Sequence, residues 1–195
     1  MSSITKYKKV LAIDQGLANI GYSIISRSDD NTCHIELSGS FKTKSTQRLE
    51  ERLALIYSTF DSILEKDKDI QAVVMEDLFV GVSHGGIFGR STSIVTTSMV
   101  SGILFLLAKD RGLKAFKIAP TMVKKCMTGC GKASKDDVQK GVLSYYNVAP
   151  FKVDHECDSI AIGTTFLLND EVVQLKESTP KHKKTKKKKG QPNED

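Results

Sequence analysis

The run Ile70–Met75 (IQAVVM) is apolar at almost every position, and Glu76 follows it directly. A strand that faces water on one side alternates apolar and polar residues. A near-continuous apolar run is instead typical of a strand in the middle of a sheet that is covered on both faces. The run therefore favours an α/β fold, with helices packed on both sides of a sheet.

Further strands and helices are predicted around this run. Lys9–Asp14, Gly21–Ser26 and Cys33–Phe41 are β-rich, and the short breaks between them predict an antiparallel meander. Apolar spacing and capping residues predict helices over Gln47–Glu65, Ile94–Lys109, Pro120–Lys125, Lys135–Tyr146 (capped by Ser134 with Asp137) and Asp154–Leu168. A further strand is predicted over Lys114–Ile118. The stretch Val80–Ser93 is rich in glycine and serine and is predicted to be a loop. The expected architecture is a mixed five-stranded sheet, with three antiparallel strands followed by parallel strands, flanked by helices.

Charge divides the chain into a domain and a tail. The 195 residues carry a net charge of +6, and their 39% hydrophobic content excludes a wholly disordered chain. Residues 176–195 hold eight lysines and three acidic residues, which leaves residues 1–175 at only +1. We therefore expect one domain over 1–175 and a disordered, lysine-rich tail over 176–195. The tail is interpreted as a nonspecific DNA tether, with a localisation signal as the alternative.

The chain shows no sign of export or membrane insertion. The N-terminus, MSSITKYKK, lacks the apolar core of a signal peptide, and the apolar stretch Met99–Ala108 is too short to span a bilayer. We expect a cytoplasmic protein, in a bacterial cell or in a host cell if a phage encodes it. Its four cysteines are expected to be thiols, and neither a membrane nor a small-molecule cofactor is expected as a partner.

Carboxylates follow two of the predicted strands. Asp14 ends one apolar run and Glu76 ends another, at the sheet edge where α/β proteins place ligands. Asp158 opens an otherwise apolar helix, with His155 three residues earlier on the same face. Each acid taken alone could be an ordinary cap that faces water. Together they form a set suited to Mg²⁺, or to two ions about 4 Å apart that cleave a phosphodiester.

A basic segment complements these acids. Residues 109–140 net +6, so the rest of residues 1–175 nets −5. Lys124 and Lys135 flank the turn Thr128–Gly131, whose glycines permit a close backbone approach to phosphate. An ordinary solvated face is the alternative. The DNA-contacting candidates in this segment are Lys124, Lys125, Lys132 and Lys135.

The motifs, taken in order, resemble those of the RuvC-type Holliday-junction resolvases, in the RNase H-like nuclease superfamily. Over residues 9–166, Ile13-Asp14-Gln15-Gly16 with Gly21-Tyr22 is similar to the first-strand D-x-G…G-Y motif, and Met75–Phe79 to the second acidic motif. Pro120–Lys124 followed by Thr128–Lys135 is similar to P-x-x-V-K…G-x-G-x-A-x-K, and Asp158–Ile162 to the D-A-L-A-I start of the last helix.

The resemblance implies an RNase H-like fold and roles for the matching residues. Asp14, Glu76, His155 and Asp158 would hold Mg²⁺ or Mn²⁺, with two ions per site. Lys124 and Lys135 would contact DNA or stabilise charge near the scissile phosphate. Phe79 would stack on an unpaired base near the crossover, with burial in the core as the alternative.

His155 stands where many members of the family have an aspartate, although histidine also occurs there. An imidazole can bind a metal or act as a general base near neutral pH, and it favours Mn²⁺ over Mg²⁺ because it is the softer ligand. Asp154 and Glu156 are adjacent carboxylates that could substitute for it, but their helical phase is worse.

The expected function is that of a crossover junction endodeoxyribonuclease, which resolves four-way DNA junctions by paired nicks. Three alternatives stay open: a broader branched-DNA nuclease, an RNase H-like enzyme that cuts RNA, and a catalytically inactive junction-binding protein. The two-fold symmetry of the substrate implies a homodimer. The helix Ile94–Lys109 is the candidate dimer face, although burial in the core explains its composition equally well.

Overall fold

The structure is a computed structural model that describes residues 7–78, 92–151 and 154–169. Within these ranges the chain forms five strands and five helices. The strands are β1 (Lys9–Asp14), β2 (Asn19–Arg27), β3 (Cys33–Lys42), β4 (Ala72–Glu76) and β5 (Lys114–Ile118). The helices are α1 (Leu49–Lys66), α2 (Thr92–Asp110), α3 (Pro120–Thr128), α4 (Lys135–Tyr146) and α5 (Asp154–Leu168).

The strands form one mixed sheet in the order β3-β2-β1-β4-β5. The pairs β1–β2 and β2–β3 are antiparallel, whereas β1–β4 and β4–β5 are parallel. The prediction of an antiparallel meander followed by parallel strands is confirmed. Because Ile13 pairs with Met75, β1 and β4 end at the same edge of the sheet, and the next residues, Asp14 and Glu76, meet there.

Helices cover both faces of the sheet. Along β1, Val10 and Ala12 pack into a core with α3, α4 and α5, while Leu11 and Ile13 pack into a second core with α1 and α2. Residues of β4 alternate between the two cores in the same way, and its first four residues are fully buried. Burial on both faces is the reason that this part of the chain is continuously apolar.

The observed bounds differ from the predicted ones at a few element ends. Helix α2 begins at Thr92, so the predicted loop ends earlier than expected, and its remaining residues lie outside the described ranges. Helix α3 continues to Thr128, because the first residue that leaves helical geometry is Gly129, at φ 77°. Strand β5 and helices α4 and α5 have the predicted bounds.

Helix α2, for whose composition a dimer face and burial in the core were equal explanations, is buried on one face only. Val100, Leu104 and Leu107 are fully buried, whereas Met99 and Leu106 keep 41% and 56% of their surface exposed. The helix lies on the sheet beside α1, and its composition is apolar on the outer side as well. In the ranges that the structure describes, no helix is long and apolar enough to cross a bilayer. The predicted tail, 176–195, lies outside those ranges.

Candidate active site

The ends of β1 and β4 are joined by a side chain. The Gln15 side chain is buried, and its Nε2 donates to the main-chain oxygen of Glu76 at 2.5 Å. The main-chain N–H of Glu76 donates back to Gln15 Oε1 at 3.1 Å. These two bonds continue the parallel ladder by one step beyond its last residue pair, and they hold Glu76 beside Asp14. The sequence motifs did not single out Gln15, because its role depends on which strand lies next to β1.

Helix α5 places two further candidate residues over the same edge. His155 and Asp158 lie one turn apart on the helix, and each can present a ligand atom to Asp14. One such atom from each of the three residues lies within 4.8 Å of the other two. His155 Nδ1 is 2.6 Å from Asp14 Oδ2. The structure therefore brings together residues 14, 155 and 158, which we call the acidic cluster, from two separate elements.

The close approach of α5 to the sheet depends on Gly21. This residue lies opposite Asp14 in the antiparallel β1–β2 pair. A Cβ atom at position 21 would lie 1.8 Å from the main-chain oxygen of His155 and 2.9 Å from the nitrogen of Glu156. Any larger side chain would push the start of α5 away from the strand ends. The glycine of the G-Y motif thus allows His155 to reach Asp14.

Glu76 completes the site from β4. It lines a cavity of about 230 Å³ together with Asp14 and Asp158. Burial raises the pKa of Glu76 to about 7, and the charges of Asp14 and Asp158 act in the same direction, against Lys124 and Lys135. Burial also raises the pKa of Asp158. The carboxylates are crowded, so a bound cation would stabilise their charged forms.

Two lysines also line the cavity. Lys124 lies on α3, and Lys135 is the first residue of α4. Ser134 and Asp137 form the predicted capping box, which sets the point where α4 begins. Lys135 Nζ lies 2.9 Å from Asp158 Oδ2. The cavity is therefore lined by three carboxylates and two lysines, a combination suited to a phosphate beside metal ions.

Of the three candidates at the start of α5, only His155 joins the acidic cluster. The Asp154 side chain is 68% exposed and faces Lys135, at 3.6 Å. Glu156 accepts a hydrogen bond from Ser38 Oγ at 2.6 Å. Neither carboxylate belongs to the group of ligand atoms around Asp14, which agrees with their worse helical phase.

The other predicted DNA-contacting residues lie outside the cavity. Lys125 and Lys132 are exposed and do not line it. Phe79 lies outside the described residues, so its stacking role stays a prediction. Part of the basic segment also faces elsewhere, since Arg111 is ion-paired with Asp61 at 2.6 Å on α1. The segment is therefore divided between the cavity and more distant surfaces.

Known proteins share this sequence and fold. The family model described as "Crossover junction endodeoxyribonuclease RuvC" matches residues 10–166. The crossover junction endodeoxyribonuclease RuvC of Pseudothermotoga lettingae is 30% identical over 156 residues, which are 79% of this chain and 90% of that protein. The protein of the same name from Prochlorococcus marinus (strain NATL2A) is 32% identical over 158 residues, 80% of this chain and 96% of that protein.

Two solved structures share the fold. T. thermophilus RuvC in complex with a Holliday junction substrate aligns with a TM-score of 0.71 and 21% identity, over 82% of this chain and 92% of that one. The yeast mitochondrial Holliday junction resolvase Ydc2 aligns with a TM-score of 0.61 and 18% identity, over 90% and 85% of the two chains. These likenesses confirm the RNase H-like fold. By the extent of the family match and the identity to its members, the chain belongs to the RuvC family of crossover junction endodeoxyribonucleases.

Proposed function

We propose that this protein is a metal-dependent, structure-selective endodeoxyribonuclease that resolves four-way DNA junctions by paired nicks. The observation that carries the proposal is the meeting of Asp14, His155 and Asp158 beside Glu76, in a chain of the RuvC family. The T. thermophilus relative was solved with a Holliday junction substrate, which favours branched DNA as the substrate here. The intact acidic set argues against a catalytically inactive junction-binding protein.

The donor atoms at the site fit hard divalent cations. Asp14, His155 and Asp158 offer ligand atoms within 4.8 Å of one another, and Glu76 shares a cavity with Asp14 and Asp158. The pKa of Glu76 is raised by burial and by the charges of Asp14 and Asp158. We propose that Asp14, Glu76, His155 and Asp158 hold Mg²⁺ or Mn²⁺, with two ions per site. The chemistry that such ions supply is the activation of water for attack on a phosphodiester and the stabilisation of charge on the leaving oxygen.

The protein's own residues place these ligands and receive the DNA. Gln15 holds the main chain of Glu76, and Lys135 orients Asp158 through their ion pair. Lys124 and Lys135 are proposed to contact the scissile phosphate from the cavity wall. Lys125 and Lys132 would contact the flanking backbone, and Phe79 would stack on an unpaired base.

A substrate panel tests this function. Wild-type protein is incubated with a four-way junction, a fork, a linear duplex and an RNA–DNA hybrid, in Mg²⁺, in Mn²⁺ and in EDTA. We expect paired nicks at symmetric positions of the junction, in either metal and not in EDTA. Equal rates on forks would indicate a broader branched-DNA nuclease, and cleavage of the hybrid alone would indicate an RNA nuclease. Binding of the junction without cleavage in any metal would contradict enzymatic function.

We further propose that the protein works as a homodimer through α2. Val95, Met99 and Leu106 recur on one side of the helix and are 39%, 41% and 56% exposed. Gly102 lies in the same stripe, and a Cβ there would meet no atom within 4 Å. Such a stripe, apolar and open at Gly102, suits close packing against a second helix. A second copy, related by a two-fold axis, would also supply the second active site that paired nicks require.

The dimer is tested by charging this stripe. We expect Leu106→Glu to convert a dimer into a monomer, measured by sedimentation or light scattering, and to replace paired nicks with single ones. Val148→Glu is the matched control, because Val148 is 40% exposed but lies beyond α4, on the opposite layer. A wild-type monomer at micromolar concentration, or a Leu106→Glu variant that stays dimeric, would contradict the α2 interface.

The proposal also covers the lysine-rich segment 176–195 and the place where the protein acts. The eight lysines of that segment would tether the nuclease to DNA without sequence preference, in a salt-dependent manner. We propose that the protein acts in the cytoplasm, where its DNA substrate lies.

A further inference from the structure

A second concavity adjoins the acidic cluster, on the side of α1 and α2. It is open, encloses about 400 Å³, and is lined by the β1–β2 turn (16–19), Arg52 of α1, Thr96 and Thr97 of α2, and His155. The first cavity lies against α3 and α4 instead. The two meet at the pair formed by His155, which lines the second, and Asp14, which lines the first. We call the second concavity the Arg52 groove.

Hydrogen bonds through Thr43 position the Arg52 side chain. Its Nε donates to Thr43 Oγ1 at 2.7 Å, and Thr43 Oγ1 donates to the main-chain oxygen of Leu17 at 2.6 Å. This chain of bonds links the guanidinium to the turn that follows Asp14. The side chain is half-buried, so both its position and its direction are constrained. The guanidinium is therefore fixed at the groove wall.

The terminal nitrogens of Arg52 have no carboxylate partner among the described residues. Arg48, one turn earlier, is paired with Glu50, and Arg111 is paired with Asp61 and Glu65. Among the residues that the structure describes, no acidic side chain lines the Arg52 groove. A fixed guanidinium with its two outer nitrogens unpaired presents the planar set of donors that binds a phosphate with two hydrogen bonds.

A DNA strand that crosses the acidic cluster must leave it on both sides. On one side it meets Lys124 and Lys135, and on the other it meets the Arg52 groove. The groove combines a cation with threonine side chains and the turn backbone, the types of group that contact the sugar-phosphate backbone. We propose that the Arg52 groove binds a DNA phosphate neighbouring the scissile one, on the side opposite Lys124 and Lys135. This inference rests on the proposed function for the identity of the substrate.

The test compares two arginines of the same helix region. Arg52→Gln and Arg48→Gln remove the same charge, but only Arg52 faces the groove. Binding of a four-way junction and of a single-stranded oligonucleotide is measured without metal, by fluorescence anisotropy, from 50 to 200 mM salt. For Arg52→Gln we expect about tenfold weaker junction binding and a salt slope lower by about 0.9, the value for one lost phosphate contact. Arg48→Gln should leave both quantities unchanged.

A conservative variant separates contact from folding. Arg52→Lys keeps the charge and loses the two-bond geometry, so it should retain the salt slope and lose part of the affinity. Equal behaviour of Arg52→Gln and Arg48→Gln, or unchanged affinity in Arg52→Gln, would overturn the groove assignment. If wild-type protein binds DNA but does not cleave junctions, the proposed function fails, and a reduced salt slope in Arg52→Gln still supports the groove.

Discussion

Replacing Asp14 by asparagine is expected to abolish metal-dependent cleavage while junction binding persists. Asp14 belongs to the acidic cluster: it offers a ligand atom within 4.8 Å of those of His155 and Asp158, and its Oδ2 lies 2.6 Å from His155 Nδ1. Asparagine keeps the shape but removes the charge that a divalent cation requires. We expect a rate loss of at least about 10³-fold, equivalent to about 4 kcal/mol of barrier. Removing a negative charge near the phosphates should leave metal-free junction affinity equal to that of the wild type or higher.

The measurement combines single-turnover cleavage with calorimetric titration of Mn²⁺. The matched control is Asp154→Asn, which removes a carboxylate in the first turn of α5 that lies outside the acidic cluster. We expect this control to retain most of the activity and the full Mn²⁺ affinity. If Asp14→Asn cleaves at the wild-type rate, the site assignment is wrong. If Asp154→Asn loses as much activity as Asp14→Asn, Asp154 rather than His155 is the third-element ligand.

Replacing Glu76 by glutamine is expected to abolish cleavage and yet stabilise the metal-free protein above neutral pH. Burial and two neighbouring carboxylates raise the pKa of Glu76 from about 4.5 to about 7. As pH rises between these values, the unfolded chain releases this proton before the folded chain does, so the wild type loses stability. After allowance for partial exposure, the loss is about 1–3 kcal/mol. Glutamine carries no charge, so the Glu76→Gln variant avoids this loss of stability.

The stability effect is measured by chemical denaturation in metal-free buffer at pH 4 and pH 8. We expect Glu76→Gln to gain stability over the wild type at pH 8 and to gain little at pH 4. The control is Glu65→Gln, because Lys68 and Arg111 lower the pKa of Glu65, so removing its charge should destabilise the protein at pH 8. A gain in Glu76→Gln that is the same at both pH values would show that its charge is not the cause.

Metal binding provides a second test of the raised pKa of Glu76. A divalent cation must displace the proton from Glu76, so the affinity of the wild type for Mn²⁺ should rise with pH up to about 7 and then level off. Saturating Mn²⁺ should raise the melting temperature of the wild type much more than that of Glu76→Gln.

Much of the fold could be predicted from local pattern. The continuous run before Glu76 indicated a central strand, and the observed burial of Val73 and Val74 on opposite faces confirms it. The Ser134–Asp137 capping box gave the first residue of α4 correctly, because capping depends on residues that are adjacent in the chain. Helix α3 was predicted too short, since its end depends on where Gly129 adopts a positive φ.

The sequence predicted the ligand residues of the candidate site but not the residues that position them. Carboxylates at strand ends and on an apolar helix are visible as exceptions to a hydrophobic pattern, so Asp14, Glu76 and Asp158 could be found. Gln15 and Gly21 could not be explained in the same way. The first acts on a strand 61 residues away, and the second makes room for a helix more than 130 residues later. Their roles depend on which elements become neighbours.

The sequence by itself determined the α/β class, the order of the elements and the residues able to carry metal chemistry, because hydrophobic period, capping and ligand type are properties of short segments. Only the tertiary structure decided that His155 rather than Asp154 faces Asp14 and that helix α2 leaves one apolar side exposed. It also decided that Arg52 lines a groove beside the acidic cluster, with no carboxylate partner in the described ranges, while Arg111 is ion-paired. The physical reason is that side-chain partners and exposure are set by contacts between elements distant in sequence, which no local pattern contains.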